Sequence, residues 1–303
     1  MTCENVNYPA LGQGPPALMD RVRKRVGDKR VLGLVKAFLK AGILGEDKAL
    51  RSTDAGTPQG SILSPLLSNV ALSVLDEFIA QSPGGPRAKQ YQQAKRRKYG
   101  LPNYRLIRYA DNWCLAVSDT RADAEVLCEE IANLLSTMMG LRLSREKTLI
   151  THIEDGLDFL GWRIQRHRKR GTRKYFVYLY PAKKALHSIM AKVKKLCWQD
   201  VNLPLEALLY QLNLVLRGWT AYFKHGSSKA TFNYLRAYIW NQVFGWLRRK
   251  HRRSNWKEIR RKNTSDGWWP ATSEVTLFNP GAVKITYYSY RETKIPSPWP
   301  STA

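Results

Sequence analysis

The stretch RLIRYADNWCLAV, residues 105–117, decides how the first half of the chain is read. Leu106, Ile107, Tyr109 and Ala110 lead into the polar pair Asp111-Asn112, and Trp113, Cys114, Leu115, Ala116 and Val117 lead out. Two short apolar runs around a two-residue Asx turn predict a β-hairpin. Its tip lifts one carboxylate, Asp111, out of an otherwise apolar sheet. A hard divalent cation such as Mg²⁺ wants oxygen ligands on a rigid support, so Asp111 is the candidate metal ligand. A plain turn would look the same in isolation. The flanking sequence has to separate the two readings.

At 303 residues the chain is long enough for a substantial core and about two domains. Its formal net charge of +26 is spread unevenly. Residues 1–160 carry 22 Lys and Arg against 18 Asp and Glu, whereas residues 161–303 carry 28 against 6. Self-repulsion opposes such an excess in a compact fold, so the second half is read as facing a polyanion. Ten Trp and fifteen Tyr favour nucleic acid over an acidic membrane, because rings stack on bases. No apolar run approaches the roughly 18 residues of a membrane span, and no leader pattern opens the chain. Cys3, Cys114, Cys128 and Cys197 form no CxxC pair, and the five histidines have no ligand spacing. Zinc and a disulfide framework are not expected, and a reducing, cytoplasmic setting is.

Residues 1–16, rich in Gly and Pro, read as coil. From Ala17 the pattern turns helical, with Leu18, Val22 and Val26 on one face and Leu32, Val35, Phe38 and Leu39 on another. Gly27-Asp28 divides the two. Residues 56–80, GTPQGSILSPLLSNVALSVLDEFIA, read as a tight loop feeding a helix. Ser64-Pro65 supplies N-cap and N1, and Leu66, Leu67, Val70, Ala71, Val74, Leu75 and Phe78 supply an apolar face. Residues 81–99 read as a basic, mobile surface loop. Thr120 to Asp123 resembles a capping box opening a helix with Leu127, Ile131, Leu134 and Met138 on one face and Gly140 as its stop. Short strand-like pieces follow at 141–144, 147–151 and 157–162. Helices on a small sheet make this an α+β arrangement.

GTPQGSILSPLLSN, YADN, LSREKT and DGLDFLGW, in this order, resemble the palm of a group II intron reverse transcriptase/maturase. The resemblance runs from about Ala17 to the C-terminus. It implies that Gln59 and Gly60 lie beside the incoming nucleotide and template. It further implies that Asp111 and its neighbour Asn112 occupy the metal-binding positions, that Lys147 lies near the nucleotide phosphates, and that Phe159, Leu160 and Gly161 grip the primer. Mg²⁺ is the implied cofactor of a competent polymerase. Two departures stand out. The family's YADD is here Tyr109-Ala110-Asp111-Asn112, and an amide keeps an oxygen but loses the charge. The family's first catalytic aspartate, in an FDxIDH-like strand, has no counterpart in residues 8–16. Phosphoryl transfer by two metals needs carboxylates from both strands, so this chain is not expected to polymerise alone.

The second half opens with RIQRHRKRGTRKYFVYLY, residues 163–180, two strand-like arms around a basic Gly turn. Three amphipathic helices are expected at about 181–197, 203–225 and 228–253, with Lys and Arg on their polar faces. LRGWTAYFKH, residues 216–225, resembles the family's thumb, domain X, which binds intron RNA and helps it splice. Arg217, Trp219, Tyr222 and Lys224, with Arg248, Arg249, Lys250, Arg252 and Arg253, are the candidate RNA-binding residues. The alternative for the rings is bundle core. In the tail, alternation in VKITYYSY predicts short strands. The expected organisation is coil at 1–16, a partial palm at 17–162, a basic hairpin and helical thumb at 163–262 and a tail at 263–303. Two functions follow: a splicing cofactor that binds intron RNA, or an RNA-directed DNA polymerase completed by a separate N-terminal palm and fingers fragment and acting on a DNA primer or target. An inactive gene remnant is the third reading.

Overall fold

In the computed structural model the chain divides into two compact units, residues 1–152 and 153–303. The structure describes residues 2–3, 14–40, 43–44, 50–51, 63–144, 146, 148–265 and 268–287. The division falls ten residues ahead of the expected boundary after residue 162, because the DFLGW segment joins a sheet of the second unit.

The first unit begins with strand β1 (Thr2–Cys3), helices α1 (Gly14–Arg23) and α2 (Lys29–Lys40), and the antiparallel pair β2 (Ile43–Leu44) and β3 (Leu50–Arg51). Helices α3 (Ser64–Gln81) and α4 (Gln90–Lys98) follow, then β4 (Asn103–Tyr109), β5 (Asn112–Ser118), α5 (Arg121–Met139) and β6 (Thr148–Leu149). The sheet has the order β4-β5-β1-β6. Residues 1–16 are thus not all coil: Thr2 and Cys3 pair with Cys114 and Trp113 on one side and with Leu149 and Thr148 on the other. Backbone pairing between β5 and β6 wins over weak local propensity, since buried N–H and C=O groups need partners.

Gly27-Asp28 separates α1 from α2 as expected, and Asp28 accepts from the Arg30 N–H at 2.7 Å. Helix α3 starts one residue earlier than read: Leu63 takes the cap position and Ser64 the first helical one. Its buried face is Leu67, Ala71, Leu72, Val74, Leu75 and Ile79, while Leu66 is exposed. Residues 81–99 are not wholly loop, because QYQQAKRRK forms α4 from good helix formers. Arg96 donates to the Pro102 carbonyl at 2.9 and 3.1 Å, and the Asn103 amide donates to the Gln93 carbonyl, fastening α4 to β4. The Thr120–Asp123 capping box and the left-handed Gly140 (φ 65°) bound α5 as expected. Its buried stripe is Leu127, Ile131, Leu135 and Met139, a four-residue step, and Met138 is exposed. Residues 141–144 form no strand, and among the described residues of the next piece Thr148–Leu149 alone does.

The second unit opens with the antiparallel sheet β7 (Leu157–Phe159), β8 (Trp162–Arg168) and β9 (Tyr175–Pro181). The bundle follows as α6 (Lys183–Gln199), α7 (Leu205–Phe223), α8 (Lys229–Lys250) and the short α9 (Trp256–Asn263), which sequence reading missed. Its core gathers Ile189 and Val193 of α6, Leu208, Leu212 and Leu216 of α7, and Leu235, Ile239, Val243 and Trp246 of α8. Each such burial is worth roughly 1.5–3 kcal/mol. Among the described tail residues VKITY (283–287) forms no strand. Residues 268–287 instead run against the helices. Asn213, buried on α7, donates to the Thr276 carbonyl and accepts from the Phe278 N–H, and the Thr286 N–H donates to the Lys224 carbonyl. Side-chain and backbone bonds to the bundle replace the strand partners that alternation alone implied.

Candidate functional site

In the first unit the β4–β5 hairpin closes on the pair Tyr109–Asn112, so the two turn residues are Ala110 and Asp111, not Asp111 and Asn112. Ala110 sits in the left-handed region (φ 53°), where a Cβ costs roughly 1–2 kcal/mol. Something must hold that turn, and Arg108 does. Its guanidinium makes two bonds to Asp76 of α3 (2.6 and 3.1 Å), one to Asn69 (2.6 Å) and one to the Ala110 carbonyl (2.9 Å). The order Asp76, Arg108, Ala110 therefore sets where the Asp111 carboxylate stands. Asp76 and Asn69 escaped sequence reading. Their signal was a spacing of seven residues, two turns, which puts both on one face of the helix.

Asn112 donates weakly to the Asp111 carboxylate at 3.4 Å, so its amide faces the acid as a donor. Asp76 is occupied by Arg108, and among the described residues no group of three or more His, Cys, Asp or Glu side chains could hold a metal ion. Among the described residues, the one carboxylate with a neutral amide at this turn does not fit the two-metal chemistry of phosphoryl transfer. Gln59, Gly60 and Lys147 lie outside the described residues. Removing the Arg108 side chain leaves the half-buried Asp76 unpaired. Arg108→Met should lower the stability of the first unit by about 1–3 kcal/mol, read as a lower urea midpoint. An unchanged midpoint would refute the clamp.

In the second unit two segments that the sequence presents separately come together. Phe159 is buried, and the β7–β8 turn places Leu160 (φ 50°) and Gly161 (φ 79°) in the left-handed region. The Tyr222 hydroxyl donates to the Leu160 carbonyl at 2.9 Å. A Cβ on Gly161 would lie 3.4 Å from the Phe223 ring, and Phe223 packs 4.8 Å from Trp162. The DFLGW turn is thus seated on the end of α7 by its aromatic residues. Trp219 is part-buried, 4.5 Å from Phe223, so it packs as core, and Tyr222 remains half exposed.

The candidate cations divide into two kinds. Arg249 donates to the Cys197 carbonyl at 2.8 Å and lies 4.1 Å over Trp198; Lys250 bonds to the Leu203 carbonyl and lies 4.9 Å from Trp246. Arg249 thus staples the end of α6, and Lys250 the α6–α7 connection, to α8. Arg217, Arg248, Arg252 and Arg253 are exposed. Arg217 lies 5.6 Å over the Phe278 ring, and Lys224 is part-buried at the end of α7. Arg252 and Arg253 border a hollow of about 820 Å³ beyond the end of α8. Burial pushes the Cys197 thiol up to about 12, which suits a core residue and not a nucleophile.

A carboxylate hairpin in an α+β unit, followed by a seated turn and a basic helical bundle, defines a reverse-transcriptase palm with a maturase-type thumb. Residues 18–164 match the family described as reverse transcriptase (RNA-dependent DNA polymerase), and residues 186–264 match the group II intron, maturase-specific domain. The chain is 33% identical over 205 residues to Protein YkfC of Escherichia coli strain K12, covering 63% of this chain and 53% of that one. It is 32% identical over 200 residues to the group II intron-encoded protein LtrA of Lactococcus lactis subsp. cremoris, covering 52% and 33%. A putative COX1/OXI3 intron 2 protein of Saccharomyces cerevisiae is 23% identical over 184 residues, covering 49% and 22%. The chain spans about half the length of the first of these relatives and less of the others. It belongs to the group II intron reverse transcriptase/maturase family.

Proposed function

We propose that this chain is an RNA-binding splicing cofactor, whose second unit holds intron RNA by charge and shape. The observation that carries the reading is the 28 Lys and Arg against 6 Asp and Glu in residues 161–303, a charge that the apolar core of the helical bundle does not account for. Phosphate contacts by exposed arginines are sequence-tolerant and position a folded RNA, which is the task of a splicing cofactor. Arg217, Arg248, Arg252 and Arg253 are the proposed contacts. Arg249, Lys250 and Trp219 support the surface from behind. Among the described residues no helix is long and apolar enough to cross a membrane.

The donor set at Asp111 argues against polymerisation by this polypeptide alone, and no step through Mg²⁺ is assigned to it. With a primed RNA template, Mg²⁺ and nucleotides, the purified chain should extend primer no better than its Asp111→Ala variant. Clear extension that Asp111→Ala abolishes would overturn this. A separate fragment carrying palm and fingers remains the partner that the alternative reading requires. If such a fragment restores extension, Asn112→Asp should raise it further, by restoring a charged ligand.

A further inference from the structure

We propose that the outer face of the β8–β9 hairpin is a stacking platform for a single-stranded RNA segment, with bases on Phe176 and Tyr178 and phosphates at the basic turn. The inference rests on the reading of the chain as an RNA-binding protein and adds a site to it.

Cross-strand partners share a face of a sheet. The pairs Ile164–Leu179 and Trp162–Pro181 lie on one face, with Leu157 and Phe159 of β7 beside them. That face packs through Trp162 against Phe223. The pairs His167–Phe176, Gln165–Tyr178 and Arg163–Tyr180 lie on the opposite face. Three aromatic rings therefore follow one another along β9 at two-residue steps, about 7 Å apart. Tyr180, nearest the base, is committed: its hydroxyl donates to Gln165 at 2.6 Å and its ring stacks with His167. Further out, Tyr178 is half-buried with its ring centroid 6.3 Å from that of His167, and Phe176 is 46% exposed with the Lys169 ammonium 5.8 Å from its ring. An exposed ring on a strand adds little to a core, and with the half-buried Tyr178 behind it Phe176 offers a face on which a base can stack.

Charge selects the partner. No acidic residue occurs between Asp158 and Asp200, while Arg168, Lys169, Arg170, Arg173 and Lys174 crowd the hairpin end. The turn itself is built by the left-handed Gly171 and by Arg168 bonding the Thr172 carbonyl at 2.8 Å. A cationic end beside the exposed Phe176 and the half-buried Tyr178 suits a strand whose bases are unpaired. In a duplex the bases are stacked on one another and cannot reach a ring.

The test uses the full chain, a fluorescent 12-nucleotide oligouridylate and a 12-base-pair RNA duplex. Phe176→Ala with Tyr178→Ala should weaken oligouridylate binding by roughly 5- to 150-fold per ring. Duplex binding and the melting temperature should stay unchanged, and Tyr178→Phe, which keeps the ring, should bind like the parent. Unchanged oligouridylate binding, or an equal loss on the duplex, would overturn the platform. Should the double variant melt early, ultraviolet cross-linking of the unaltered chain to oligouridylate decides. Cross-links within residues 175–180 support the platform, and cross-links only elsewhere refute it. A chain that binds duplex but not oligouridylate overturns this inference alone, whereas one that binds neither overturns the RNA-binding reading itself.

Discussion

Phe223→Ala is expected to lower the stability of the second unit by about 3–5 kcal/mol, the usual cost of deleting a buried ring. Phe223 is 4% exposed and touches Trp162, Trp219 and Tyr222, with ring centroids 4.5–4.8 Å away for all three. It also walls the Gly161 turn, so the cavity would open beneath DFLGW as well as inside the bundle. Nine of the ten tryptophans lie in residues 161–303, which makes intrinsic fluorescence a direct probe of this unit's urea unfolding. Tyr222→Ala, at a half-exposed ring, removes chiefly one hydrogen bond and should cost about 0.5–1.5 kcal/mol. Equal effects of the two substitutions would mean that the aromatic seat is not organised around Phe223.

The second large effect is on RNA affinity. Each phosphate neutralised by Lys or Arg releases counterions, so log affinity falls linearly with log salt. For about five contacts at roughly −0.7 to −0.9 each, the slope is near −4, and affinity for a structured RNA should fall about 250-fold between 50 and 200 mM salt. A slope near zero would mean that binding rests on apolar or base-specific contacts, against the charge argument.

Much of this was legible from local patterns. The hairpin at 105–117, the capping box at Thr120, the stop at Gly140 and the three bundle helices all depend on residues within one or two turns of each other. What escaped depends on residues far apart in sequence. Asp76 and Arg108 meet across 32 positions, and nothing in either local pattern announces the pair. The stripe of α5 differs from that reading by one residue, because 134 and 138 and 135 and 139 fit helical spacing equally well until the core packed against the helix chooses. The tail's alternation predicted strands, yet its described residues 283–287 form none, and the Thr286 N–H donates to the Lys224 carbonyl instead. At the basic site, charge was visible in the sequence but occupation was not: Arg249 and Lys250 read like their neighbours, and only the fold commits them to backbone carbonyls.

The central claim is that RNA is held by the exposed arginines of the second unit, and two triple variants of the full chain test it most directly. One replaces Arg248, Arg252 and Arg253 with Gln. The other replaces the equally exposed Lys95, Arg97 and Lys98 of α4 with Gln, removing the same charge from the first unit. Filter-binding salt titrations on one structured RNA compare them with the parent. The first triple should flatten the slope of log affinity against log salt by about 2–3, and the second by less than about 1. If the α4 triple flattens the slope and the Arg248, Arg252 and Arg253 triple does not, the RNA lies on the first unit and the account is wrong.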